Sequence, residues 1–87
     1  MTVTALELKQ AIRERELDLG VDVDMLSVST PLAEQGVDSL GVMDILLLLK
    51  EEYGVKVSDA DVSRMISLEA IAAYLDERGV ARPGLRP

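Results

Sequence analysis

The stretch Gly36-Val37-Asp38-Ser39-Leu40 places one serine where a loop gives way to a helix. A serine that attacks a substrate needs a base to take its proton, and this chain contains no histidine. It contains no cysteine either, so neither a Ser-His nor a Cys-His pair can form. A hydroxyl set at a helix start without a base reads as a residue that another enzyme modifies. The plain alternative is an ordinary first-turn residue, because serine and aspartate are favoured there for capping.

Other chemistry is quickly set aside. Asp22 with Asp24, and Asp59 with Asp61, have the spacing that begins a calcium loop, but neither stretch has the glycine at position six or the glutamate at position twelve. Glu51 and Glu52 are neighbours in sequence and so diverge on a helix, which makes them surface charge. No glycine-rich phosphate loop and no cluster of metal-ligating residues is present. The Gly-Asp-Ser-Leu block of one hydrolase class is not matched, since Val37 separates the glycine from the aspartate.

Composition narrows the class further. Eighty-seven residues suit one small domain, and an apolar fraction of 48% is enough to fold it. With two tyrosines and no phenylalanine or tryptophan, the core must be aliphatic and flat stacking platforms for bases are absent. The formal net charge of −7 also repels polyanions, so nucleic acid is excluded as a partner and basic docking surfaces are favoured. The N-terminus lacks the basic start and long apolar run of a secretion signal, and the longest apolar run, Ile45 to Leu49, is too short to cross a bilayer. The expectation is a cytoplasmic monomer without membrane contact. The first methionine and short tail point to a free-standing protein.

The elements that must position Ser39 announce themselves by their caps. Thr4, with Glu7 three residues on, forms a capping-box pair, and Val3 and Leu8 stand in staple positions. The first helix is predicted from Ala5 to about Asp18, with Ala5, Leu8 and Ile12 on one face and Gly20 as its stop. Ser58 begins a short helix, with Val57 and Val62 as its staple. Ser67 begins a longer one, with Ile66 and Ile71 as the staple and Leu68, Ile71, Ala72 and Leu75 recurring at helical spacing. Gly79 closes it. Residues 1–79 are therefore read as one domain, and residues 80–87, with two prolines and a glycine, as a flexible tail.

Between Asp38, a cap, and Gly54, a stop, lies the central helix. Successive helical residues turn by about 100°, so the apolar run from Ile45 to Leu49 covers the whole circumference. Either neighbours surround this helix, or part of it is an exposed apolar patch of the kind that marks a partner surface. The segment from Val21 to Val37 is long for a loop. Val21 and Val23 alternate with acids as in a strand, but Val55-Lys56-Val57 is the only candidate partner and is very short. An ordered loop packing Val21, Val23, Leu26, Val28 and Leu32 on the helices is expected. The fold class is all-α: a small bundle of three longer helices and one short one, with that loop between the first and second.

This arrangement resembles the acyl carrier protein family. The resemblance covers roughly Thr4 to Gly79 and rests on Gly36-Val37-Asp38-Ser39-Leu40, on the aliphatic helix ending Lys50-Glu51-Glu52-Tyr53-Gly54, on Val55-Lys56-Val57-Ser58-Asp59, and on Ser67-Leu68-Glu69-Ala70-Ile71-Ala72-Ala73-Tyr74-Leu75. It implies that Ser39 carries 4′-phosphopantetheine through a phosphodiester, taken from coenzyme A by a phosphopantetheinyl transferase with magnesium. Asp38 and Leu40 would flank the attachment point. Leu40, Met43, Asp44 and Leu47 would meet partner enzymes: acyltransferases, ligases or synthases. A helix N-terminus suits a phosphate, and a chain without cysteine needs a cofactor to supply a thiol.

Three positions depart from the family pattern. Gly41 weakens the first turn by ~1 kcal/mol relative to alanine. Lys50 stands where fatty-acid carriers keep an acid, and Gln35 where relatives often place an apolar residue. These departures favour a dedicated carrier for polyketide, nonribosomal peptide or modified amino-acid assembly over a primary fatty-acid carrier. The competing reading, from a different class, is a helical adaptor that binds a protein through its central helix and is never modified.

Overall fold

The computed structural model describes residues 3–79. The 80–87 tail of the sequence reading lies outside them. Helix α1 spans Ala5–Glu14, α2 Ser39–Tyr53, α3 Asp59–Val62 and α4 Leu68–Glu77, with 3₁₀ turns at Val23–Met25 and Leu32–Gln35. No strand occurs among the described residues, so the alternating valines of the loop do not pair.

Caps decide where three of the helices start. Thr4 Oγ1 accepts the Glu7 amide, Asp38 the Gly41 amide and Ser67 the Ala70 amide. Ser58 occupies the cap position of α3 without a side-chain hydrogen bond to the backbone. The staples fare differently. Val3 and Leu8 are both buried, whereas, of the pair predicted for α4, Ile71 is buried and Ile66 remains 57% exposed.

Helix α1 also ends earlier than its sequence suggests, at Glu14 rather than near Asp18. Glu16 adopts the left-handed conformation at φ 54°, where glycine was expected to act later. The amide of Leu17 then returns to the Ile12 carbonyl at 3.2 Å and that of Glu16 to Arg13 at 3.1 Å, so the last carbonyls are satisfied without further helix. The early turn brings Leu19 into the core and half-buries Leu17. Burial of two leucines outweighs the cost of left-handed backbone at a non-glycine residue.

The loop between α1 and α2 is ordered because its polar groups are occupied. Lys9 Nζ donates to the carbonyls of Asp24 and Leu26 at 3.2 and 2.9 Å. The Leu32 amide donates to the Ile66 carbonyl at 2.7 Å, and the Glu69 amide to that of Val28 at 3.0 Å. Gln35 spans the loop: its Oε1 accepts the Ser27 amide at 2.7 Å, and its Nε2 donates to the carbonyls of Ser27 and Thr30, both at 2.9 Å. Leu26, Leu32 and Val37 are thereby held in the core, with Val21, Val23 and Val28 packed at its edge.

Helix α2 lies on this core through Gly41, Ile45, Leu48, Leu49 and Tyr53. Gly54, at φ 69°, ends it. Helices α1 and α4 pack on each other, and α3 is tied to α4 through a polar cluster. The Tyr74 hydroxyl donates to Asp61 Oδ2 at 2.7 Å, Arg78 donates to the same oxygen at 3.1 Å, and the guanidiniums of Arg64 and Arg78 lie 5.0 and 4.5 Å from the Tyr74 ring centroid.

Candidate functional site

Ser39 is the first residue of α2 and is exposed to solvent. Asp38 before it is extended, at φ −88° and ψ −176°, and its Oδ1 accepts the Gly41 amide at 3.0 Å. The aspartate therefore caps the helix, yet it too remains exposed. The Val42 amide bonds to the Asp38 carbonyl at 3.1 Å, which closes the first helical turn. The amides of the opening turn lie ahead of the intrahelical ladder, so the positive end of the helix faces the region around the serine.

Gly41 explains how the serine comes to stand at the edge of the core. A Cβ at this position would lie 2.8 Å from Val37 Cγ1 and 3.4 Å from Leu19 Cδ2. Glycine lets the loop pass tightly against the start of α2, with Val37 buried below and Ser39 left outside. Its low helix propensity, read from sequence as a weakness, is the condition for this close approach.

Beside Ser39 lies an apolar groove of about 360 Å³. The loop contributes Pro31 and Val37, α2 contributes Val42, and the far wall is Val62, Met65 and Ile66. That far wall was not anticipated from sequence as part of a site. Ile66, an apolar residue just ahead of the Ser67 cap, is the sequence signal for it, and its 57% exposure shows that the core does not take it up fully.

The question of whether α2 is surrounded or partly bare is resolved by its two faces. Ile45, Leu48 and Leu49 are buried, while Leu40, Met43 and Leu47 are 73%, 61% and 51% exposed. With exposed Asp44 they form a stripe at i, i+3, i+4 and i+7, beginning next to Ser39. All four residues predicted as partner contacts thus share one outer face with the serine.

Comparison with known proteins bears on this arrangement directly. A family described as a phosphopantetheine attachment site matches residues 7–75. The chain belongs to the acyl carrier protein family. It is 32% identical over 73 residues to an acyl carrier protein of Thermotoga maritima, covering 83% of this chain and 86% of that one. Over 71 residues it is 28% identical to an acyl carrier protein of Campylobacter jejuni subsp. doylei, covering 80% and 88%. A carrier protein of Bdellovibrio bacteriovorus is 28% identical over 64 residues, covering 72% and 82%. The carrier is accordingly not an enzyme. It bears a covalent 4′-phosphopantetheine installed by a transferase and works with biosynthetic enzymes. The adaptor reading, which required that no group ever be attached, is overturned by this membership.

The residues present fit such a group. It requires an accessible hydroxyl for the phosphodiester and a phosphate-compatible setting, and the start of α2 offers both. When bound, the group supplies the thiol that the chain lacks. No helix among the described residues is long and apolar enough to cross a membrane, and none of their acids cluster as a metal site.

Proposed function

We propose that Ser39 is the residue that carries phosphopantetheine, and that this carrier serves a dedicated polyketide or nonribosomal peptide type pathway, holding acyl or aminoacyl groups as thioesters. The observation that carries the attachment point is the exposed hydroxyl at the first position of α2, beside an apolar groove and on the same face as Leu40, Met43, Asp44 and Leu47. In the modification, Ser39 Oγ bonds to the phosphorus of the pantetheine phosphate of coenzyme A. The bond from that phosphorus to the adenosine-side phosphate oxygen breaks, and the serine proton passes to a base of the transferase.

In this reading Asp38 has two roles. Its Oδ1 holds the helix start in place, and the exposed carboxylate helps to position the transferase's magnesium. Leu40, Met43 and Leu47 dock apolar surface of successive partners, and Asp44 adds a charge for a basic one. The groove of Pro31, Val42, Val62 and Ile66 is the nearest apolar surface for the arm or its cargo to lie against. The pathway assignment is supported by Lys50, which stands where fatty-acid carriers keep an acid, and by Gly41 and Gln35, which depart from the wider family pattern.

Intact-mass measurement tests the attachment point. With coenzyme A and a broad-specificity transferase the chain gains one phosphopantetheine, and Ser39→Ala gains none. Modification of the alanine variant would overturn the assignment. A panel of acyl and aminoacyl ligases tests the pathway: preferential loading by a long-chain fatty acyl ligase would overturn it.

A further inference from the structure

We infer that the far half of the exposed α2 face, where α2 meets the segment leading into α3, docks an acidic amphipathic protein segment, which makes partner recognition directional along the helix. This rests on the carrier reading and specifies the chemistry of one partner surface.

A groove of about 250 Å³ runs between α2 and α3, away from Ser39. Its floor is apolar: Met43, Leu46 and Leu47 from α2, with Val57 and Val62 opposite. Met43 and Leu47 are mostly exposed there, so the floor is not closed by the domain itself. Lys50 and Lys56 stand on its rim, together with Asp59.

The lysines are exceptional in this molecule. Arg13 pairs with Asp24 at 3.5 Å, Arg15 with Glu51 and Glu52, Arg64 with Glu77, and Arg78 with Asp61 at 3.1 Å. Lys9 is spent on two loop carbonyls. Among the described lysines and arginines only Lys50 and Lys56 have no ion pair and no side-chain hydrogen bond, although Asp59 shares their groove. In a chain of net charge −7, acids to neutralise them are plentiful. Two unpaired cations against one carboxylate leave this apolar groove net positive, which complements a ligand that presents an apolar ridge flanked by carboxylates.

Charge along the face is therefore ordered. Asp38 and Asp44 lie at the Ser39 end, while Lys50 follows about 9 Å beyond Asp44 at 1.5 Å per residue, with Lys56 and a single acid, Asp59, across the groove. A partner that sets its active site over Ser39 must be basic near the serine and acidic beyond Leu47. A partner bound in the opposite direction meets like charge at both ends, which disfavours it.

Amide-resolved NMR titration of the carrier, run with and without its arm, tests this. The probes are two amphipathic helical peptides with the same leucine face, one bearing glutamates elsewhere and the other lysines. The glutamate peptide is expected to shift the amides of Met43, Leu47, Lys50, Lys56 and Val62. The double variant Lys50→Glu/Lys56→Glu should weaken that binding about tenfold and turn the groove toward the lysine peptide. Lys50→Gln/Lys56→Gln should give a smaller loss without reversal, which separates lost attraction from misfolding.

The proposal is overturned if the lysine peptide occupies the groove of the unsubstituted carrier equally well, or if neither peptide moves these amides. Movement of the same amides only when an acyl group is loaded would assign the groove to cargo and overturn it also. Failure of the carrier reading shows separately, as no mass gain at Ser39 whatever the peptides do.

Discussion

Ser39, Asp38, Gly41 and Gln35 show how much one side chain decides near the proposed attachment point. Asp38 combines a structural bond with a proposed chemical role, and substitutions separate them. Asp38→Asn keeps an oxygen for the Gly41 amide, so the melting temperature should hold while the rate of modification falls. Asp38→Ala should lose both, with a stability cost of ~0.5–2 kcal/mol. Equal modification rates for the wild type and the asparagine variant would remove the carboxylate from the chemistry. Gly41→Ala gains ~1 kcal/mol of helix propensity but forces a methyl to 2.8 Å from Val37, and overpacking of a buried contact costs ~1–3 kcal/mol. A lower denaturation midpoint is therefore expected, where propensity alone predicts a higher one. Gln35→Leu leaves the Ser27 amide and two carbonyls without their partner and is expected to destabilise by ~1–3 kcal/mol in chemical denaturation.

At the scale of elements, α2 divides its work between faces. Leu48→Ala empties a buried position and should cost ~2–5 kcal/mol, whereas Leu47→Ser, on the half-exposed side, should change stability by no more than ~0.5 kcal/mol. The second substitution is expected instead to raise the KM of a partner enzyme for the carrier. Helix α3 is only four residues long and depends on its tie to α4. The Tyr74 hydroxyl, with lesser help from Ser58 and Arg78, holds the Asp61 carboxyl below its ordinary pKa range. A carboxylate depressed in the folded state stabilises above its unfolded pKa of about 4, and that contribution disappears as pH falls through the lower folded value. Asp61→Asn should accordingly flatten the decline of melting temperature with acidification. A variant that keeps the wild-type acid slope would show that this contact does not contribute.

The whole molecule carries sixteen acids against nine bases, and most described cations are already paired. Its long-range field is therefore negative, and a transferase with a basic docking surface is expected to meet it faster for that reason. The Debye length falls from about 10 Å at 0.1 M salt to about 3 Å at 1 M. The kcat/KM for modification should decline over that range with little change in kcat, and a salt-independent kcat/KM would argue against electrostatic steering.

The caps were readable before any fold was known, because each needs only a short polar side chain a few residues ahead of an apolar run: Thr4, Asp38, Ser58 and Ser67 all mark helix starts. The absence of a histidine partner for Ser39 was likewise complete in one dimension, since no arrangement in space can supply a residue the chain lacks. What needed tertiary structure was every outcome set by competition between distant segments. Helix α1 stops at Glu14 because Leu19 gains a place against Gly41, a contact no local window contains. The continuous apolar run of α2 could not say which side would be covered, and only the packed neighbours left Leu40, Met43 and Leu47 bare. Local hydrogen bonding is written in short spacings, whereas burial is a property of which surfaces meet, and that is decided when the whole chain closes on itself.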